Sequence, residues 1–297
     1  MGIVMMIGNA MAADQFWGVQ SGDFADSESW IQWDASPGSV PGSGDHGRIG
    51  NGGTAEVSTD FTGSGPNWVS ILGSSTLEIV SGGNLVLTDS LILGGNGWMQ
   101  TNTGPGTLII REGGSIYTPN IYVGDWGNVT DASIAEQHGG TMTVTNLTVG
   151  NQLKGEYHLY GGTIEPRGEN FVNVGWAQSG DGLFVQHPGT SVKWLGWSRI
   201  GHTGKGEYRL LGGTMEVGGY AVLIGSGSTG DGKFIQSDGY YGRPQYTTKL
   251  YIGYEGGDRS LPHQRRQRGA RWNDPRMEQR RRHVQDQRLG DHQHCSG

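Results

Sequence analysis

The sequence predicts an all-β fold: a right-handed parallel β-helix with about 25 residues in each rung. Three observations carry that expectation. The phrase GEYHLYGGTIE, which begins at Gly155, returns as GEYRLLGGTME at Gly206, 51 residues later. A hydrophobic residue followed by glycine recurs along the chain, and its last five steps are 26, 25, 26, 24 and 28 residues. The residues between these marks alternate apolar and polar with a period of two, and no stretch of the body carries a helical apolar stripe.

Each unit reads as strand, turn, strand. In the first phrase Tyr157 and Leu159 point one way, and Glu156, His158 and Tyr160 the other; Tyr208 and Leu210 keep the pattern in the second. The pairs Gly161-Gly162 and Gly212-Gly213 break the strands, because glycine reaches backbone angles that other residues avoid. The matches continue as VGWAQSGDGLFVQ and IGSGSTGDGKFIQ, in which Asp181, Phe184 and Gln186 correspond to Asp231, Phe234 and Gln236. A unit this short cannot bury its own apolar face, so units must stack end on end, like residue over like residue. Aromatic columns (Tyr157 with Tyr208, Phe184 with Phe234) and a ladder of stacked amides (Gln186, Gln236) follow as expectations. The 56 glycines among 297 residues are spread at turn spacing, without the triplet period of collagen. Eight or nine rungs are expected in one elongated domain.

In chain order, residues 1–12 read as the remnant of a secretory signal peptide. A short apolar run ends in Ala10-Met11-Ala12, a small-x-small cleavage pattern, and the basic start is missing. Residues 13–60 form an N-terminal cap, 61–257 the solenoid repeats, and 258–297 a basic disordered tail. The leading segment has Trp17, Trp30, Pro41-Gly42, Asp45 and the run Asn51 to Ala55, followed by repeats of the form GGT, VG and GDGxFxQ. With these residues the chain resembles the autotransporter-like and PEP-CTERM-type glycine-rich β-helix repeat proteins that bacteria export. The resemblance covers roughly residues 14–257. It implies a solenoid fold and a secreted or cell-surface location, and it carries no implied activity. No sorting signal or outer-membrane barrel is read at the C-terminus, and no stretch reaches the length of a membrane span.

Residues 1–257 hold 11 Lys and Arg against 23 Asp and Glu, a net charge of −12. That balance disfavours nucleic acid and anionic membranes as partners. The only cysteine is Cys295, so no disulfide framework forms within one copy. No His/Cys cluster has zinc spacing, and neither a metal nor a cofactor is expected.

Solenoids of this kind also host polysaccharide lyases and hydrolases, which need converging carboxylates. Asp181 and Asp231 sit in GDG, a turn-forming sequence on conformational grounds alone. Glu165 and Glu216 repeat after GGT, and a repeated residue is the wrong pattern for chemistry that happens at one place. The run SRIGHTGKG breaks the repeat with Arg199, His202 and Lys205, but without a neighbouring aspartate pair it reads as a solvated turn. No residue is assigned a catalytic role. Trp126, Trp176 and Trp197 are the candidate carbohydrate-contacting residues; Trp126 and Trp176 lie 50 residues apart, just past two hydrophobic-Gly steps. Two readings of them stay open: a row of flat faces for sugars, or rings packed over loops that shield the solenoid edge. The reading as a whole is a non-enzymatic exported surface or matrix rod, adhesin-like, with extracellular polysaccharide or cell-surface components as partners. A polysaccharide-active enzyme is the alternative.

The tail departs from everything before it. Residues 258–297 hold ten Arg, no Lys, six Gln and four His. Arg as CGG, read one base later, becomes Gly, and Gln as CAG becomes Ser. His263 to Arg266 then reads Thr-Ser-Gly-Gly and Gln279 to Arg282 reads Ser-Gly-Gly-Gly, so a frame change near codon 258 is expected.

Overall fold

The computed structural model describes residues 13–95, 104–127, 129–218, 221–242 and 249–253. All lie in one compact unit, Met1–Arg259. The proposed signal remnant and the proposed basic tail lie outside the described residues. Among the described residues every regular element is a strand, apart from one short 3-10 turn at Ser27–Ser29. Among the described residues no helix is long and apolar enough to cross a membrane.

The strands stack as a parallel β-solenoid of about 7 turns with about 26 residues per turn. Each complete turn contributes to three faces. The first face runs from Asp14–Trp17 through His46–Ile49, Trp68–Ile71 and Ser90–Leu93 to Ala221–Ile224 and Lys249–Ile252. The second holds Thr54–Val57, Thr76–Ile79, Thr107–Ile110, Asp181–Gln186, Lys205–Leu210 and Asp231–Gln236. The third holds Asn84–Val86, Ser191–Trp194, Thr214–Val217 and Tyr240–Gly242. In the middle the chain passes corners without leaving the ladder: Ser133–Val149 and Lys154–Val174 each serve more than one face. That is fewer turns than the eight or nine expected, with slightly more residues in each.

The hydrophobic-Gly step is a corner. Its apolar residue closes the first face and points inward: Ile49, Ile71, Leu93, Val123, Val149, Val174, Ile200 and Ile224 form one buried column. Register selects Ile71, and not its neighbour Leu72, as the residue between Ile49 and Leu93. Eight of the nine step glycines, Gly50 being the exception, adopt φ between +58° and +74°. At Gly175 (φ +73°) a Cβ would also lie 2.0 Å from the carbonyl oxygen of Lys205 on the next turn. Close stacking and the left-handed angle both demand glycine there.

GDG is not the turn its sequence suggests. Asp181-Gly182 and Asp231-Gly232 open second-face strands, and the turn lies just before, closed by Gly180 N donating to Ala177 O at 2.8 Å. Gly182 is needed because a Cβ would lie 2.2 Å from Val149 O.

The aromatic columns merge into one. Tyr157, Phe184, Tyr208 and Phe234 are successive register partners, with ring centroids 4.9, 4.7 and 5.5 Å apart and the first two pairs within 5° of coplanar. The amide ladder does not form. Leu159 and Leu210 alternate with Gln137, Gln186 and Gln236 in the neighbouring column, so no two glutamines touch. Instead Tyr157 Oη donates to Gln137 Oε1 and Tyr208 Oη to Gln186 Oε1, both at 2.7 Å. Each glutamine sends its own N–H across the corner, Gln137 Nε2 to Thr163 O and Gln186 Nε2 to Thr214 O, both at 3.0 Å. A buried amide with both ends satisfied costs little, whereas one left unpaired is expensive. The structural unit is therefore two turns, one with glutamine and one with tyrosine and leucine, which is why the sequence repeats at 51 residues.

At the N-terminal end parallel pairing already includes Ser21–Asp23 and Thr54–Val57, inside the segment expected as a cap. The capping itself falls to Asp14–Trp17 with its antiparallel partner Trp30–Ile31, and to the rings of Trp17, Phe24, Trp30 and Phe61, which meet edge to face at 4.9–5.3 Å. Trp30 Nε1 donates to Phe24 O at 2.8 Å.

Candidate functional site

The first face and its corner hold the candidate tryptophans. Trp126 follows the Val123-Gly124 corner and is 62% exposed. Two turns on, at roughly 10 Å, Trp176 follows the Val174-Gly175 corner and is half-buried. Its backbone joins the corner ladder: its N–H donates to Gly150 O at 3.0 Å, and its carbonyl accepts from Thr203 Oγ1 at 2.7 Å. Its ring stacks on His202 of the next turn at 4.3 Å, with 28° between planes. Trp197 immediately precedes the strand Ser198–Ile200 and is also half-buried. The Arg199 guanidinium lies 5.4 Å from the Trp176 ring and 5.9 Å from the Trp197 ring. The structure thus joins Trp176, Trp197, Arg199 and His202 in one cluster and leaves Trp126 apart.

The same trio occurs near the N-terminus. Trp68 stacks on His46 at 4.2 Å and lies 4.6 Å from the Arg48 guanidinium. Asp14 holds that group, accepting from Arg48 and facing His46 Nδ1, each at 3.1 Å. A signal for this second cluster exists in the sequence, since Arg-Ile-Gly occurs both at Arg48–Gly50 and at Arg199–Gly201. That signal lies two residues before the glycine of the step, outside the hydrophobic-Gly pair that marks the repeat.

A third ring ladder runs outside the solenoid at the corner between the second and third faces. His138, Tyr160 and His187 come from consecutive turns, with centroid distances of 5.0 and 4.5 Å. Each directly precedes the corner: His-Gly-Gly, Tyr-Gly-Gly, His-Pro-Gly. Burial, then the neighbouring His158, lowers the pKa of His187 below its ordinary value. Rings stacked along the axis occupy one another's faces and present edges to solvent. Stacking therefore removes much of the flat surface a sugar would use at Trp176, and Trp126 is the candidate with the greatest exposed area.

Between Lys154 and Asp231 repeated carboxylates are interleaved with lysines, whereas nearer the N-terminus Asp23, Glu56 and Glu78 are successive register partners. Lys154, Asp181, Lys205 and Asp231 succeed one another in register, and Lys205 Nζ lies 3.2 Å from Asp181. Lys193 sits between Glu165, at 3.1 Å, and Glu216, its register partner. Lys205, read from sequence as part of a three-cation turn, thus belongs to this charge column. Asp125 differs from these acids. It is half-buried, burial raises its carboxyl, and the Asn151 amide of the next turn donates to it. Burial also raises the neighbouring Tyr122 phenol, with Asp125 and Asp89 adding to the shift. Among the described residues no three His, Cys, Asp or Glu side chains are grouped to hold a metal ion.

Comparison of the chain with family models, curated proteins and solved structures yields no match.

Proposed function

We propose that this protein is a non-enzymatic exported rod of the cell surface or matrix, whose first-face corner contacts extracellular polysaccharide. The observation that carries the reading is the register of the charged side chains. Lys154, Asp181, Lys205 and Asp231 alternate in sign along the axis, as do Glu165, Lys193 and Glu216. Such columns lessen repulsion between stacked turns. Within these two columns each carboxylate lies opposite a cation, and no two carboxylates are neighbours as an acid–base pair. Trp126 supplies the exposed ring, and the Trp176, Trp197, Arg199 and His202 cluster supplies cationic and imidazole groups suited to hydroxyl- and carboxylate-bearing sugars. Export rests on the resemblance of residues 14–257 and on the small-x-small pattern at residues 10–12.

Asp125 favours a second reading, a polysaccharide-active enzyme. A half-buried acid of raised pKa beside a phenol and an exposed tryptophan fits a general acid. One experiment separates the two. The purified protein is screened on a glycan array with a parallel lyase and hydrolase assay on every glycan retained. The rod reading expects retention that weakens at least fivefold in Trp126→Ala, with no turnover. Turnover that disappears in Asp125→Asn would replace it with the enzyme.

A further inference from the structure

The net charge of −12 is not spread evenly along the rod. Residues 13–153 hold 14 Asp and Glu against two basic residues, Arg48 and Arg111, which accounts for all of it; residues 154–257 hold nine of each sign. Asp14 takes Arg48 and Glu78 takes Arg111, so among the described residues the other twelve carboxylates of the first half have no lysine or arginine paired with them. None of the fourteen is buried. Asp23, Glu56 and Glu78 even lie opposite one another on successive turns, an arrangement that repels. The fold does not impose it. The same column takes Arg209 in the other half, five register steps beyond Glu78.

The first face of this half also carries the exposed rings. Its strands stack in the order Trp30–Ile31, Asp14–Trp17, His46–Ile49, Trp68–Ile71, Ser90–Leu93 and residues 120–123. Trp33 follows the first of these and Trp126 the last, roughly 24 Å apart along the axis. At 83% and 62% they are the two exposed tryptophans among the described residues. Each adjoins an aspartate, as Trp33-Asp34 and as Asp125-Trp126. The hydroxyl and N–H of Ser36 donate to Asp34 and hold its carboxyl below the ordinary value. Asp125 receives the Asn151 amide and has no cation beside it among the described residues. Asp45 and Asp89 immediately precede His46–Ile49 and Ser90–Leu93. On Trp68–Ile71, midway, Val69 and Ile71 join the core and Ser70 points outward. Ser70 is 3% exposed and its hydroxyl has no hydrogen-bond partner, an unfilled valence of a kind that folded chains rarely leave.

We propose that the first face from Trp33 to Trp126 is the docking surface for a polysaccharide of free amino sugars. The proposal rests on the reading of Trp126 as a glycan contact and names the class of glycan. An indole takes the apolar face of a sugar ring, and the aspartate beside it takes the protonated amine of that sugar, with attraction of the amine to the ring added. Asp45 and Asp89 line the path between the two ring–carboxylate pairs, and the Ser70 hydroxyl gains its partner there. One sugar cannot reach both pairs, so the occupant is a polymer lying along the axis. The acids Asp23, Glu56 and Glu78 on the adjoining second face strengthen the negative potential that draws a polycation in. The Arg199 cluster lies outside this surface, three turns past Tyr122 in the half of zero net charge. A basic peptide meets the same charge, but exposed flat rings set beside single carboxylates match the sugar better.

The test uses the full chain and a glucosamine hexamer with all amines free, set against its fully N-acetylated form by calorimetry at about pH 6, where carboxylates are ionised and amines protonated. Acetylation removes the charge and leaves the sugar, so the first result needs no variant. The free-amine form is expected to bind at least tenfold more tightly, and to weaken as salt rises. Asp34→Asn, Asp125→Asn and Trp126→Ala are each expected to weaken it at least threefold, and Asp181→Asn, in the other half, to leave it unchanged. Equal binding of the two forms, no binding of either, or an affinity that none of the three variants moves overturns the proposal. A lysine hexapeptide that binds as tightly and is indifferent to Trp126→Ala makes a basic protein the partner and overturns it as well. The two readings fail separately. If both hexamers bind alike and Trp126→Ala weakens both, the glycan contact stands and the amine is wrong; if a glycan array retains nothing, the proposed function itself falls.

Discussion

The hydroxyl of Tyr208 lies inside the solenoid, 2.7 Å from Gln186 Oε1, and burial pushes its pKa well above the ordinary phenol value. Removing that one oxygen leaves the ring and its stacking intact and strips a buried amide of its donor. Tyr208→Phe is expected to cost about 1–3 kcal/mol, read as a lower denaturant midpoint with an unchanged slope. The paired change Tyr208→Phe with Gln186→Leu should recover only part of the loss, since no amide oxygen is then left without its donor but Thr214 O loses the Gln186 N–H. Glycine at the corner is tied to backbone instead. Gly175→Ala forces a residue with a Cβ into the left-handed region, which costs roughly 1–2 kcal/mol, and places that carbon against the next turn. A drop in melting temperature of roughly 5 °C or more is expected, with the same direction at Gly201. The requirement for these glycines was legible from their recurrence alone. The role of Gln186 was not, because an amide repeating every second turn looks the same in sequence whether it stacks on its copies or receives a hydroxyl.

Along the second face the outward residues form columns of their own. Glu207 is gripped by Arg209 of its own strand and Lys233 of the next turn. Burial pushes its carboxyl up, but the hydrogen bonds and charges of Arg209 and Lys233 outweigh that and hold it below its ordinary 4.5. Glu156 is held down in the same way by Lys154 and His158, again against burial. A carboxyl depressed by folding stabilises the folded state above its unfolded pKa, and the contribution fades as pH falls through the folded one. Stability of this origin is therefore complete above about pH 5 and lost progressively below 4.5. Denaturant midpoints measured from pH 6 down to pH 3 should fall, and the slope should be shallower in Glu207→Gln. If the variant and the parent chain run parallel, the columns contribute nothing. Sequence placed these strands correctly through their alternation, yet misread Asp181-Gly182 as a turn, because Asp-Gly is a turn dipeptide by local preference and its position at a strand start is imposed by the carbonyl of Val149.

For the molecule as a whole, a two-turn unit predicts which deletions the rod tolerates. Stability in stacked repeats is a sum of units and of the interfaces between neighbours. Removing residues 151–201 joins Gly150 to His202 and brings Tyr208 over Ala135 with its hydroxyl on Gln137, the partners Tyr157 has now. Removing only residues 176–201 brings Tyr208 over Tyr157 and its hydroxyl against Leu159. The longer deletion is expected to unfold cooperatively, and the shorter one to melt lower and more broadly, as followed by circular dichroism. The opposite ranking would show that the single turn is the unit.

Composition, the glycine steps and the period-two alternation were enough to determine a solenoid, because those signals are local or recur at a fixed distance along the chain. They also determined that like residues share a face. Which residues meet across turns was decided only by tertiary structure. Loops of different length bring Phe184 between Tyr157 and Tyr208, set Leu210 between two glutamines, and place Lys205 between Asp181 and Asp231 and Lys193 opposite Glu216. The candidate tryptophans show the same division. Their spacing was plain in the sequence, but whether a ring is stacked, as Trp176 is on His202, or exposed, as Trp126 is, depends on the side chain one turn away. A single turn is too short to make its own interior, so the neighbouring turn completes every contact that matters in this protein.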